Sequence, residues 1–141
     1  MCYVPVQTGD GRWMGGNVMA VMKAKAIHDF FNSVMTSYPA SAVPDDAAMP
    51  YLTYTWSDAS FGDSEQSMTV NIYARTESEA EVNALARRLS DAIGRGGRML
   101  CCDDGAIWLK RGVPWCQAAP YDDRSIKRRY INVTADFLTI D

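Results

Sequence analysis

Two periodicities alternate along the chain, and they divide it into elements. Between Asn17 and Tyr38, Ile27, Phe30, Phe31, Val34, Met35 and Tyr38 recur at steps of three and four, while Lys23, Lys25, Asp29 and Asn32 fall largely elsewhere. That spacing predicts an amphipathic helix. Asn17 is placed to cap its start. Pro39 sets its end, because proline lacks an amide proton and restricts the residue before it.

The period then shortens to two. Leu52, Tyr54 and Trp56 alternate with Tyr51, Thr53 and Thr55, and Met68, Val70, Ile72 and Ala74 alternate with Thr69, Asn71, Tyr73 and Arg75. Both runs predict strands with one buried face. A polar loop, Ser57 to Gln66, joins them. Helical spacing resumes with the stripe Val82, Leu85, Leu89 and Ile93. Thr76 and Glu79 stand at the spacing of a capping box. Glu77, Glu79 and Glu81 put negative charge at the helix start, and Arg87, Arg88 and Arg95 lie towards its end, as the helix dipole favours. Gly94, Gly96 and Gly97 stop it.

The last third predicts strands. Arg98 to Cys102 is a short apolar run, and Asp103, Asp104 and Gly105 form a turn. Ala106 to Leu109 continues as a strand that Gly112 and Pro114 break, with a further short pairing segment at Trp115 to Ala119. From Ile126 to Ile140, Ile131, Val133, Ala135 and Phe137 alternate with Tyr130, Asn132, Thr134 and Asp136. The order is helix, strand, strand, helix and then several strands. This predicts an α+β fold, a mostly antiparallel sheet with two main helices packed on one face. Residues 17–141 form a single domain. Residues 1–16 read as a flexible N-terminal arm broken by Pro5, Gly9, Gly11, Gly15 and Gly16, with Tyr3 and Trp13 as its anchors.

Composition narrows the class. A chain of 141 residues with 48% hydrophobic and 22% charged side chains can bury a core and does not have the make-up of a disordered protein. A net charge of −3 and a pI near 5.1 argue against a general binder of nucleic-acid backbones. No apolar run approaches the ~20 residues of a membrane helix, and no secretion signal pattern opens the chain. Cys2, Cys101, Cys102 and Cys116 match neither a CxxC pair nor a zinc-finger pattern, so reduced thiols and a cytoplasmic setting are expected.

Candidate chemistry is sparse. His28, the single histidine, sits on a predicted helix without a partner pattern. The pairs Asp45/Asp46, Asp103/Asp104 and Asp122/Asp123 occupy turns, where aspartates cap backbone amides. Gly94, Gly96 and Gly97 follow a helix, whereas a phosphate-cradling loop precedes one. Cys101 and Cys102 adjoin an acidic turn, which disfavours a thiolate. No catalytic, cofactor-binding or metal-ligating residue is assigned. The basic cluster Arg124, Lys127, Arg128 and Arg129 has two readings. It is an exposed strand start whose charge discourages edge pairing, or it is a subunit contact to an acidic patch such as Glu77, Glu79 and Glu81.

The layout as a whole resembles a known family. Pro50-Tyr51-Leu52-Thr53-Tyr54 is followed by an acidic, serine-rich loop. The strand Met68-Thr69-Val70-Asn71-Ile72-Tyr73-Ala74 then runs into Thr76-Glu77-Ser78-Glu79-Ala80, and the chain closes on Lys127-Arg128-Arg129-Tyr130-Ile131-Asn132-Val133. Over residues 18–141 this resembles the tail-terminator, or tail-completion, proteins of long-tailed bacteriophages and prophages. The resemblance rests on element order, length and the strand-to-helix junction. It implies an α+β protein without enzymatic activity that forms a ring, commonly hexameric, on the end of the tail tube. Such a ring stops tube growth and provides the head-joining surface. The implied partners are other copies of the chain, the tail tube and head-completion proteins. The implied location is the host cytoplasm during assembly and then the virion tail. DNA passing through the ring would meet a mildly acidic lumen that does not hold phosphate.

Other readings keep the fold and change the role. One is another head–tail joining or minor tail protein. A second, from a different class, is a small-molecule-binding or enzymatic domain with a pocket lined by Tyr54, Trp56, Trp108 and Trp115. A third is an adaptor for one protein partner.

Overall fold

A computed structural model describes residues 6–7, 13–14 and 22–140. Two short strands, β1 (Val6–Gln7) and β2 (Trp13–Met14), pair antiparallel. The rest of the expected arm lies outside the described residues, as does Asn17. The main body runs α1 (Lys23–Val34), β3 (Ser37–Pro39), β4 (Tyr51–Tyr54), β5 (Gln66–Arg75), α2 (Glu79–Ile93), β6 (Arg98–Cys102), β7 (Gly105–Ala119) and β8 (Ile126–Thr139). It is an α+β fold. Its six-stranded sheet has the order β3-β4-β5-β8-β7-β6, in which only β3 and β4 run parallel.

The helical periodicity holds, but α1 is shorter than expected. Ala26, Ile27, Phe30, Phe31 and Val34 are buried, and the helix ends at Val34, not at Tyr38. Met35 is already extended, and Ser37 to Pro39 form an edge strand. Side chains hold this exit. The side-chain oxygen of Asn32 accepts from the Ser37 amide (3.2 Å), and the Arg88 guanidinium of α2 donates to the backbone carbonyl of Val34. The Val34 carbonyl, an orphan of the last turn, thus finds a donor outside the helix. Because β3 and β4 are parallel, no tight turn can join them, and residues 40–50 carry the chain back.

The capping box also fails to form. Ser78, not Thr76, is the N-cap of α2, and it makes no side-chain cap bond. The Thr76 hydroxyl accepts from the Ser78 amide at 2.9 Å, and the Glu79 carboxylate turns away to Arg129 and Lys127. A guanidinium offers a stronger, charge-assisted bond than a neutral amide does. The stop at Gly94 is as expected, with φ of +80°.

The third departure is β7. It runs unbroken through Gly112 and Pro114 by means of a bulge between Arg111 and Cys116. The Asn132 amide of β8 donates to the Pro114 carbonyl at 2.7 Å, and a side chain on Gly112 would collide with Asn132. The ladder therefore absorbs the sequence breakers instead of ending at them.

Both helices lie on one face of the sheet, over Met68, Val70, Ile72, Ile107, Leu109, Ile131, Val133 and Ala135, none of which is accessible. Helix α1 touches β3 and also β6, the two opposite ends of the strand order. The sheet therefore curls around it. Phe31 stacks on Tyr54 (5.0 Å), and Arg98 caps the Phe30 ring from the other side (5.3 Å). No described helix is long and apolar enough to cross a membrane.

Candidate assembly surface

The charged residues singled out from sequence do not form one cluster. Glu79, Lys127 and Arg129 come together within one chain: Glu79 binds Arg129 and lies 3.7 Å from Lys127. Arg129 shares the core-facing parity of Ile131 and Val133, and its side chain is only 7% exposed. Its guanidinium also donates to the Asn83 carbonyl oxygen (3.1 Å) and to the carbonyl of Arg128 (3.2 Å). A buried guanidinium needs this complete set of acceptors. The Arg129 hydrogen bond holds the Glu79 carboxyl below its ordinary range. Glu77, Glu81 and Arg124 remain exposed, and none makes an ion pair with another described residue.

Arg128 points the other way, onto the sheet face that no helix covers among the described residues. There it donates to the Asn71 side chain (2.9 Å) and lies 5.9 Å over the Tyr73 ring. Strand alternation puts Thr69, Asn71 and Tyr73 on this face because Met68, Val70 and Ile72 fill the core. Register then lines up aromatic rings from separate segments. Tyr51 stands opposite Tyr73, and Tyr73 opposite Arg128. Ring centroids step from Tyr38 to Tyr51 (5.6 Å), to Tyr73 (5.3 Å) and to Tyr121 (5.8 Å). Burial, then the neighbouring phenols, raise the Tyr51 hydroxyl above its ordinary value. The outcome is a tyrosine row across three strands and the loop before β8, with a guanidinium over Tyr73. Tyr51 and Tyr73 were each legible as outward-facing, but their juxtaposition needs the register.

A second feature lies at the sheet edge. β6 pairs with β7 only as far as Leu109, so the outer edge of β7 beyond it has no strand beside it among the described residues. A furrow of about 470 Å³ follows that edge, lined by Arg95, Trp108, Lys110, Arg111, Val113 and Trp115. The Trp108 indole donates to the Gly96 carbonyl (3.0 Å), and Lys110 lies 4.4 Å over the Trp108 ring while it pairs with Glu65. Arg111 donates to the Ser90 hydroxyl (2.9 Å).

The four aromatics that would line a pocket in the small-molecule alternative do not converge. Tyr54 is in the core against Phe31, Trp108 and Trp115 line the edge furrow, and Trp56 is 42% exposed. His28 is held by the Tyr54 hydroxyl at 3.1 Å. Asp123 caps a turn, accepting from the Ser125 hydroxyl (2.7 Å) and amide (2.9 Å), and these bonds lower its carboxyl. The cysteines need one correction, because Cys101 is disulfide-bonded. Cys102 and Cys116 are free thiols. Adjacent strand residues face opposite ways, so Cys101 is exposed while Cys102 is buried. Burial, with help from Asp104, pushes the Cys102 thiol up to about 11, which opposes thiolate chemistry. Among the described residues no cluster of three histidine, cysteine or acidic side chains is placed to share a metal ion. The chain matches no protein-family model, and a search of curated proteins finds no match to it either.

Proposed function

We propose that the chain is a structural assembly protein, a tail terminator of a long-tailed phage or prophage. In this reading copies of the chain form a ring that caps the tail tube and presents the head-joining surface. It is made in the host cytoplasm and ends in the virion tail.

The observation that carries the reading is the sheet face opposite the two helices. It bears the row Tyr38, Tyr51, Tyr73 and Tyr121 with Arg128 among them. Tyrosine and arginine are the residue types enriched where proteins meet. A broad aromatic face suits a flat partner better than a small molecule, which needs a concave site. The α+β class is the one that the resemblance implies.

Light scattering after size exclusion, over a concentration series, tests the proposal. A closed oligomer of about six subunits, a common outcome of head-to-tail contacts that close by rotation, supports it. Added to growing tail tubes, the protein is expected to limit their length. A monomer at every concentration that leaves tube length unchanged overturns the reading.

A further inference from the structure

The edge furrow holds a charge imbalance. Three cations line it, Arg95, Lys110 and Arg111, and no acidic side chain does. Lys110 is matched by Glu65, but Arg111 is bonded to a neutral hydroxyl, and Arg95 makes no ion pair with a described residue. The apolar surface beside them is large. Val113 is 96% exposed, and Trp108 and Trp115 form the walls. A guanidinium pair flanked by indoles accepts carboxylates in a planar, two-pronged geometry. The fitting occupant therefore carries two carboxylates and a small apolar surface between them.

The chain itself displays such a surface. Ala80, Glu81 and Ala84 are exposed on the first turns of α2, at steps of three and four that place Ala84 beside both others, and Glu77 is exposed just before the N-cap Ser78. Glu79, on a different side of the helix, is already held by Arg129 and Lys127. Glu77 and Glu81 have no ion pair among the described residues. Helix α2 has 15 residues and is roughly 22 Å long, with this patch at its start and Arg95 just past its far end. The two patches sit at opposite ends of one rigid rod and cannot meet within a chain.

We infer that the furrow along the free edge of β7 receives the acidic patch at the start of α2, Glu81 on the helix and Glu77 just before it, from a second copy of this chain. Carboxylates meet Arg95 and Arg111, and Ala80 and Ala84 pack on Val113 and the indoles. Unlike patches on the same molecule make a head-to-tail contact, the kind that closes into a ring. The inference rests on the assembly reading and names the contact that would build it. It replaces the Arg124–Arg129 cluster with the furrow as the acceptor of the acidic patch.

The test uses two full-length variants, Arg95→Glu/Arg111→Glu and Glu77→Arg/Glu81→Arg. Each is examined alone and in an equimolar mixture by light scattering, with circular dichroism to check folding. Each alone is expected to associate at least about tenfold more weakly than the unaltered protein. The mixture is expected to regain the oligomer, because every contact in an alternating assembly then joins opposite charges. The milder pair Arg95→Glu and Glu81→Arg leaves the Arg111–Ser90 bond intact and serves if a double variant misfolds. Unchanged mass in both variants overturns the contact while leaving the ring standing. Loss of association in the furrow variant without rescue by mixing rejects α2 as the occupant. A furrow variant that loses binding to a labelled single-stranded oligonucleotide at unchanged mass assigns the furrow to phosphate instead. An unaltered protein that is monomeric at every concentration overturns the inference, and the tube-length assay then judges the tail-terminator reading separately.

Discussion

At the residue scale the clearest case is Arg129. A sequence places it in an exposed basic run, yet its parity in β8 matches that of Ile131 and Val133, and it is 6% exposed. Charge at the strand start invited the surface reading; period two, carried back one step from Ile131, points inward. Its pairing with Glu79 has a pH consequence. The folded-state value of the Glu79 carboxyl is depressed, chiefly by the Arg129 hydrogen bond. The contribution to stability is therefore present above the ordinary carboxylate range and is lost as pH falls through the depressed value. Glu79→Gln is expected to lower the thermal midpoint at neutral pH and to make no difference in strong acid. Parallel midpoint curves for the two proteins across that range would contradict the pairing. Arg129→Glu, a natural probe of a surface patch, is expected to compromise folding, so Arg124 is the better position at which to alter surface charge.

At the element scale, β7 shows how tertiary contact overrules local signals. Gly112 and Pro114 read as breakers because neither favours a regular ladder. In the sheet, Asn132 ties down the Pro114 carbonyl and leaves no room for a side chain at Gly112. Asn132→Ala is expected to cost about 1 kcal/mol, the typical value of one such bond. Hydrogen exchange is expected to speed up at residues 111–116 and to stay the same in β5. Uniform change along the chain would show that the bulge is not held at this point. The early end of α1 has a similar origin. Thr36 and Ser37 carry little helix preference, and Ser37 to Pro39 gain a parallel ladder with Leu52 to Tyr54. Tyr38 continued the apolar periodicity, so spacing alone could not show that it belongs to a strand.

At the scale of the whole molecule, one face of a curled sheet holds the core and the helices, and the other carries no helix among the described residues. The tyrosine row belongs to this second face. Tyr51→Ser/Tyr73→Ser is expected to keep a native circular-dichroism spectrum and to weaken association by at least about tenfold, since aromatic anchors dominate interface energies. An unchanged oligomer mass would move the contact surface elsewhere on the molecule. The row and the edge furrow occupy different parts of the sheet, so the two sets of variants are expected to act independently.

The amino-acid sequence by itself determined the α+β class, both helices, the two-residue alternation of β5 and β8, and which of their faces forms the core. These are local properties, because burial on one side imposes a period that can be read off a single segment. It also placed Cys101 and Cys102 on opposite faces. Strand register, the path of β3, the bulge in β7 and the pairing of Glu79 with Arg129 were decided by the tertiary structure alone. Each depends on residues far apart in the chain, as with Tyr51 beside Tyr73 and Tyr73 beside Arg128. The furrow is of the same kind. Its cations come from the end of α2 and from β7, and no segment by itself shows that they share a wall with two indoles.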